Sequence, residues 1–310
     1  YDDVISEAVS AIMNDLKELG AHVVSADSLD SAVQKCDILV ISPGIPIDTA
    51  LPIAFRKQGK PIIGEEELAA MFLRATSVAV TGTNGKTTTV TMLGEMLNKT
   101  GNKCVACGNN GNPLIREVED LTFNDFAVLE ISSFQLETLS SLRPHIAVIT
   151  NISEDHLNRH YNMENYVFLK SKILRNLRES EFAVLNYDDP TVRGFAANTK
   201  AKVVYFSIQS KVDGAYYENG SLYFRGEKFF EVNDLTISGV HNVYNALACV
   251  AVAGILKLDK KKAGDAICAF KGVRHRIEKI REVNGVTYID DSKGTNVDAT
   301  LKAVQSMKVP

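Results

Sequence analysis

The stretch TGTNGKTTT at 81–89 carries more chemical information than any other in this 310-residue chain. It follows the apolar run SVAV at 77–80 and precedes Val90, Leu93 and Leu97, spaced as on one helical face. A glycine-rich turn between a buried strand and a helix exposes successive backbone N–H groups, and the positive end of the helix dipole points at the same spot. Such a turn holds an anion, and phosphate is the anion its side chains suit. Lys86 is placed to reach terminal phosphates and the Thr87 hydroxyl to ligate Mg²⁺, as in a P-loop. The usual G-x-x-x-x-G-K-[ST] spacing fails, because Val80 stands five residues before Gly85. A shorter nucleotide-binding loop is therefore expected, made of Gly82, Thr83, Asn84, Gly85, Lys86, Thr87 and Thr88.

Other candidates fall where strands should end. Glu130 closes FAVLE, and an acid at the carboxyl edge of a parallel sheet would face the phosphate loop across the crevice. By itself such a Glu is as ready to be a satisfied strand-end residue as a Mg²⁺ ligand. NISEDHLNRH at 151–160 brings Asp155, His156 and His160 to the same edge, which leaves His156 evenly poised between ligand and structural residue. Lys170 and Lys172 follow on a helix, and their spacing alone makes both solvated surface charges.

These groups need a scaffold, and the composition allows one. Apolar residues make up 45% and charged residues 23% of the chain, an ordinary globular balance, and the length suits two domains with a partial third. A formal charge of -4 gives no footprint for a nucleic-acid backbone. The longest apolar run, 246–258, is shorter than the roughly 20 residues that span a bilayer, and no export signal opens the chain. No membrane or nucleic-acid partner is expected, and the chain is read as a cytoplasmic monomer. The five cysteines are scattered. Cys104 and Cys107 form a C-x-x-C inside a strand, where odd spacing sends them to opposite faces, so reduced structural thiols are expected.

The elements alternate. Ile5, Val9, Ile12, Leu16 and Leu19 predict an amphipathic helix ending at Gly20. Strands at 22–24, 37–42 and 61–63, with helices near 31–35, 49–58 and 65–73, predict a first α/β domain. A second series has a strand at 77–82 that runs into the glycine-rich turn and others at 103–108, 126–132, 145–150, 182–186 and 202–207. Tyr216 to Val232 reads as an antiparallel meander on one sheet edge, turned at Asn219-Gly220 and Arg225-Gly226. Helices at about 241–257 and 260–270 follow, and 285–292 starts a new strand.

Seven segments then occur in an order that resembles the Mur ligase family: TGTNGKTTT, LEISSFQLE, NISEDHLNRH, YVFLKSK, SGVHNVYNALA, GVRHRIE and DDSKGTN. SSFQLE and DSKGTN look like the branch that adds D-glutamate to UDP-N-acetylmuramoyl-L-alanine. The resemblance implies a Rossmann-like UDP-substrate domain at 1–72, a central P-loop ATPase α/β domain at 73–273, and the start of a third, Rossmann-like, amino-acid-binding domain at 274–310. It implies an ATP-dependent amide ligase of peptidoglycan precursor synthesis that works through an acyl phosphate. Position by position, it implies that Lys86 contacts the ATP phosphates, that Thr87 and Glu130 bind one Mg²⁺ and His156 a second, and that Lys170 becomes a carbamate serving as a metal ligand. Asn242 and Asn245, three apart on one helical face, resemble adenine contacts. Arg276 would reach the transferring phosphate, with Asp291, Lys293 and Thr295 contacting ATP and D-glutamate. Ser42, Pro43 and Gly44 would lie against UDP, and Asn109, Ser132 and Gln135 against the muramoyl-alanine portion.

Some features depart from the family pattern. Asn158 stands where an acid is usual and Gly294 where Ala is commoner. The first strand of the N-terminal domain and most of the C-terminal domain are expected to be missing, so these residues alone are expected to ligate poorly. Competing readings are another Mur or folylpolyglutamate-type ligase, a P-loop NTPase switch or motor, and a nucleotide-binding piece without catalysis.

Overall fold

A computed structural model describes residues 7–22, 24, 29–294 and 297–306. The chain divides after Glu65 into two compact units. In the first, helix α1 (Glu7–Glu18) is followed by Gly20 in the left-handed region. Helices α2 (Leu29–Lys35) and α3 (Ala50–Lys57) accompany a parallel pair, β1 (Leu39–Ile41) and β2 (Ile62–Gly64). Lys60 closes α2: its Nζ donates to the carbonyls of Val33, Gln34 and Cys36 at 2.6, 3.1 and 2.7 Å, where the helix dipole is negative. The strand expected at 22–24 is not found. Val23 lies outside the described residues, and His22 and Val24 are in no strand. Two β-branched residues gave an alternation too short to identify an element.

The second unit is built on a nine-stranded sheet. Its strands are β3 (Thr76–Thr81), β4 (Cys104–Gly108), β5 (Phe126–Glu130), β6 (Ile146–Ile149), β7 (Phe182–Asn186), β8 (Lys202–Ser207), β9 (Gly214–Glu218), β10 (Ser221–Phe224) and β11 (Glu227–Glu231). Their order is β11-β10-β9-β8-β7-β6-β3-β5-β4. Pairing is parallel from β4 to β9 and antiparallel across β9, β10 and β11. The expected edge meander is therefore present. Asn219 and Gly220, then Arg225 and Gly226, have positive φ at both central turn positions, as type I′ hairpins require.

Alternation along the strands divides the interior in two. Val78, Val80, Val128, Val148 and Val184 face one core, together with helices α5 (Lys86–Lys99), α11 (Val240–Ile255) and α12 (Lys260–Cys268). Ala79, Leu129, Ile149 and Leu185 face the other, with α7 (Ser133–Thr138) beneath them. Cys104 joins the first core and Cys107 the second, as odd spacing requires. All five cysteines are free.

The chain builds β4 and β5 on one side of β3 and then crosses to β6 on the other. Such a reversal opens a crevice at the carboxyl ends of the flanking strands, where ligands bind in open α/β sheets. The strand expected at 285–292 is present as β13 (Val286–Asp290), but it is the second arm of an antiparallel hairpin. The first arm, β12 (Glu278–Val283), was not expected; Asn284 and Gly285, both at positive φ, form its turn. Helix α13 (Val297–Ser306) follows. Among the described residues no helix is long and apolar enough to cross a membrane.

Candidate active site

The turn after β3 is held open by its neighbours. Gly82 (φ 143°) and Gly85 (φ 84°) adopt backbone conformations that L side chains rarely take. A Cβ on Gly82 would run into the Thr150 side chain, and one on Gly85 into Asn245. Residues at the end of β6 grip what lies between. The Thr83 N–H donates to the Asn151 carbonyl at 2.8 Å, and the Asn84 N–H donates to Asn151 Oδ1 at 2.9 Å. Thr150 Oγ1 and Asn151 Nδ2 donate to the Asn84 carbonyl at 2.7 and 3.0 Å. The Thr83 hydroxyl contacts the Ser153 carbonyl at 3.1 Å and the Tyr166 hydroxyl at 3.0 Å. The loop is thus fixed by hydrogen bonds within the protein itself.

Two lysines converge on this turn. Lys86 Nζ donates to the Thr83 carbonyl at 2.8 Å. Burial lowers its pKa and Arg276 adds to the effect, while Glu130 and Asp155 oppose it. Lys170 sits on α9 (Met163–Ser171), only 1% exposed, with Nζ donating to the Gly82 carbonyl at 2.8 Å and to Thr81 Oγ1 at 3.2 Å. Burial, and then Lys86, push its pKa well below the usual lysine value. The surface position that spacing alone suggested for Lys170 is therefore wrong. Lys172 is not a free surface charge either: it is half-buried, and its Nζ donates to the carbonyls of Leu136 and Glu137 at the end of α7.

Acids and a neutral imidazole face these amines. Glu130 is 2% exposed. Asn109 Nδ2 donates to its Oε1 at 2.9 Å, and its Oε2 is buried with no hydrogen-bond partner. A carboxyl oxygen left bare in the interior is costly unless a cation or donor meets it. His156 has left-handed backbone (φ 53°), its Nε2 lies 3.5 Å from Asp155 Oδ2, and its ring tilts against Phe134 at 4.8 Å. Burial lowers its pKa, Lys170 and Lys86 reinforce that, and Asp155 opposes. The shift favours the neutral ring that a metal requires. His160 is a satisfied core residue, with Nε2 2.9 Å from Ser133 Oγ and Nδ1 3.5 Å from Glu137.

Beyond Gly85 and Thr88 a cavity of about 1250 Å³ opens toward α11. Asn242 and Asn245 line it from one helical face. Asn245 Oδ1 accepts from Thr89 Oγ1 at 3.2 Å, its Nδ2 donates to Asn242 Oδ1 at 3.2 Å, and Asn242 Nδ2 donates to the Ser238 carbonyl at 2.7 Å. Asn186, Asp188, Asp189 and Pro190, from an NYDDP stretch that the sequence reading passed over, also line the cavity. Asn186 Nδ2 donates to the Thr150 carbonyl at 2.8 Å. Asp188 accepts from Ser207 Oγ, the Ile208 N–H and the Tyr244 hydroxyl at 2.6, 2.8 and 3.0 Å. Asp189 caps α10 (Pro190–Gly194) and accepts the Ile152 N–H at 2.7 Å. A pair of acids at a strand end, followed by Pro at the first helical position, was the available signal.

Comparison with known proteins decides what this assembly is. The family model described as Mur ligase middle domain matches residues 80–253. A UDP-N-acetylmuramoylalanine–D-glutamate ligase of Caldanaerobacter subterraneus subsp. tengcongensis is 42% identical over all of this chain and 69% of its own length. The chain belongs to the Mur ligase family. A second such ligase, from Clostridioides difficile, is 41% identical over 96% of this chain and 66% of that protein. The fold is shared with a pseudomurein peptide ligase type C from Methanothermus fervidus, at a TM-score of 0.63 and 26% identity, covering 94% of this chain and 67% of that one. It is also shared with a MurF from Acinetobacter baumannii, at a TM-score of 0.66 and 22% identity, covering 78% and 57%.

The remaining candidates of this Mur ligase fall into three groups. Arg276 reaches the phosphate turn, its Nη2 3.3 Å from Thr87 Oγ1, while its buried Nε has no partner. Asp291 lines the cavity and accepts the Ile277 N–H at 3.1 Å, and Lys293 Nζ donates to Asn110 Oδ1 at 3.3 Å. Thr295 lies outside the described residues. Asn109 and Ser132 follow β4 and β5, and much of their bonding capacity is used locally. Ser132 and Gln135 form the capping box of α7, and Gln135 Nε2 donates to Glu66. Ser42, Pro43 and Gly44 form a turn after β1 in the other unit, closed by the Ile45 N–H on the Ser42 carbonyl at 3.0 Å.

Proposed function

We propose that this Mur ligase couples ATP cleavage to amide formation, adding D-glutamate to UDP-N-acetylmuramoyl-L-alanine in the cytoplasmic assembly of peptidoglycan precursors. The observation that carries this reading is the pinned turn 82–87, with Lys86, Lys170 and the half-satisfied Glu130 beside a cavity walled by Asn242 and Asn245. The names of the most similar relatives support the choice of substrates.

In this reading the adenine lies against Asn242 and Asn245. The phosphates lie in the turn 82–88, on the backbone N–H groups of Gly85, Lys86 and Thr87 at the start of α5, since those of Thr83 and Asn84 are engaged by Asn151. Thr87, Glu130, His156 and Lys170 fit a divalent metal: one carboxylate oxygen is unpartnered, and the histidine and lysine are biased toward their neutral forms. Two Mg²⁺ ions held there would neutralise charge on the phosphate oxygens. Lys170 suits conversion to a carbamate, in which its neutral amine attacks CO₂, a proton leaves, and a cation becomes an anionic ligand.

The alanyl carboxylate attacks the γ-phosphorus and ADP departs, leaving an acyl phosphate. Lys86 meets the growing charge together with Arg276, whose guanidinium contacts Thr87 beside it. The D-glutamate amine then attacks the acyl carbon, loses a proton, and expels phosphate. Asp291, Lys293 and Thr295 are placed to orient the amino acid and ATP, Asn109, Ser132 and Gln135 the muramoyl-alanine, and 42–44 the UDP. The enzyme works as a monomer.

A phosphate-release assay tests this. Release should require ATP, UDP-N-acetylmuramoyl-L-alanine and D-glutamate together. Steady hydrolysis of ATP with neither acceptor present would favour a nucleotide-driven switch and overturn the ligase reading.

A further inference from the structure

Arg276 stands in an unusual stretch of backbone. Its two neighbours, His275 (φ 65°) and Ile277 (φ 48°), are both left-handed. For a β-branched residue this is a true outlier, costing about 1–3 kcal/mol, and it persists only where the surroundings over-determine it.

The base of the β12–β13 hairpin supplies that constraint. The His275 N–H donates to Glu278 Oε2 at 2.7 Å, and the His275 ring Nδ1 lies 2.7 Å from Asp290 Oδ2. The Ile277 N–H donates to Asp291 Oδ1 at 3.1 Å, and the Lys293 N–H donates to the His275 carbonyl at 3.1 Å. The Ser292 N–H fixes the other Asp290 oxygen at 2.8 Å. The contact with His275, with help from Ser292, lowers the Asp290 pKa to about 2. The carboxylate is therefore ionised at neutral pH, and the proton between the two rests on Nδ1.

His275, Glu278 and Asp290 bring possible ligand atoms within 4.8 Å of one another. A metal is not the reading they favour. A cation would have to displace the Nδ1 proton and strip the His275 N–H of its acceptor, releasing the turn that these bonds hold. What the cluster does instead is aim Arg276: Nη2 reaches Thr87 Oγ1 at 3.3 Å, and Nε is buried and unspent.

We propose that the His275–Asp290 pair is a positioning device, locking the left-handed turn so that the Arg276 guanidinium is delivered to the terminal phosphate of a bound nucleoside triphosphate. This rests on the nucleotide-binding reading above. Neither residue touches the nucleotide; both act through Arg276.

Titration calorimetry with MgADP and with its non-hydrolysable triphosphate analogue, MgAMPPNP, reads the contribution of the γ-phosphate. Asp290→Asn and His275→Ala should each weaken MgAMPPNP about tenfold, the scale of one charge-assisted hydrogen bond, and leave MgADP within about twofold. His275→Asn keeps a nitrogen donor at similar reach and should restore most of the loss. Arg276→Ala should remove the γ-phosphate preference, and adding Asp290→Asn to it should change nothing more, because the two act as one unit. Unchanged MgAMPPNP affinity in Asp290→Asn, equal losses for both nucleotides, or additive losses in the double variant would each overturn the proposal. A wild type that binds neither nucleotide defeats the nucleotide reading and this inference with it; normal wild-type binding with indifferent variants defeats this inference alone. Should Asp290→Asn fail to fold, the His275→Ala and His275→Asn pair decides.

Discussion

The phosphate turn and the Arg276 turn meet at Thr87, yet they are held by different means. Residues 82–85 gain their left-handed positions from glycines and are fastened by buried backbone and amide groups at the end of β6. Residues 275–277 force His and Ile into the same region and are fastened by three carboxylates at the root of a hairpin whose strands are largely exposed. On the proposed reading, gripping the nucleotide is built into the sheet. Aiming the arginine is left to a strained segment that a few polar contacts can hold or release.

The largest effect should come from the sheet side. Lys86→Ala removes the amine proposed to meet the transferring phosphate, and acceptor-dependent phosphate release should fall about 10²–10³-fold, as when one preorganised donor is lost. A variant turning over at near wild-type rate would mean that the amine is not aimed at the reacting phosphate.

Opposite substitutions in the two turns sharpen the contrast. Gly85→Ala places a Cβ at φ 84° against Asn245 and should cost about 1–3 kcal/mol in urea unfolding. Ile277→Gly relieves left-handed strain of about 1–3 kcal/mol and adds chain entropy of about 0.5–1 kcal/mol, so stability should be kept or gained. Equal losses in the two variants would erase the distinction.

Lys170 allows a test by pH. Its folded pKa lies well below 10.5, so between those values the unfolded chain binds more protons and stability rises as pH rises. Lys170→Met should flatten that alkaline rise in thermal melts. Lys86, shifted in the same direction, should leave a remnant. An unaltered slope would place the Lys170 charge in solvent. The smallest effect expected is from Lys172→Ala, which uncaps α7 and should cost about 0.5–1 kcal/mol.

Much of this arrangement was legible in the sequence because it is local. Buried strands announce themselves as apolar runs, the phosphate turn as glycines between a strand and a helix, and the edge meander as Asn219-Gly220. What could not be read depends on partners far along the chain. Nothing in MENYVFLKS marks Lys170 as buried, because its partners, Thr81 and Gly82, come from another strand end. Asp188 is held by residues of β8 and α11, so its importance is tertiary. Strand β12 escaped because EKIREV alternates little and is exposed on both faces, although Asn284-Gly285 offered the same turn signal as Asn219-Gly220. The family resemblance supplied Lys170, Asn245 and Arg276 where residue types alone left them ordinary.

The most direct measurement is a crystal structure determined with MgAMPPNP. The β- and γ-phosphates should lie on the N–H groups of 85–87, with magnesium beside Thr87 Oγ1 and Glu130 Oε2. Nucleotide bound elsewhere, with the turn still closed on Lys86 and Thr83, would contradict the assignment of this turn as the site of ATP.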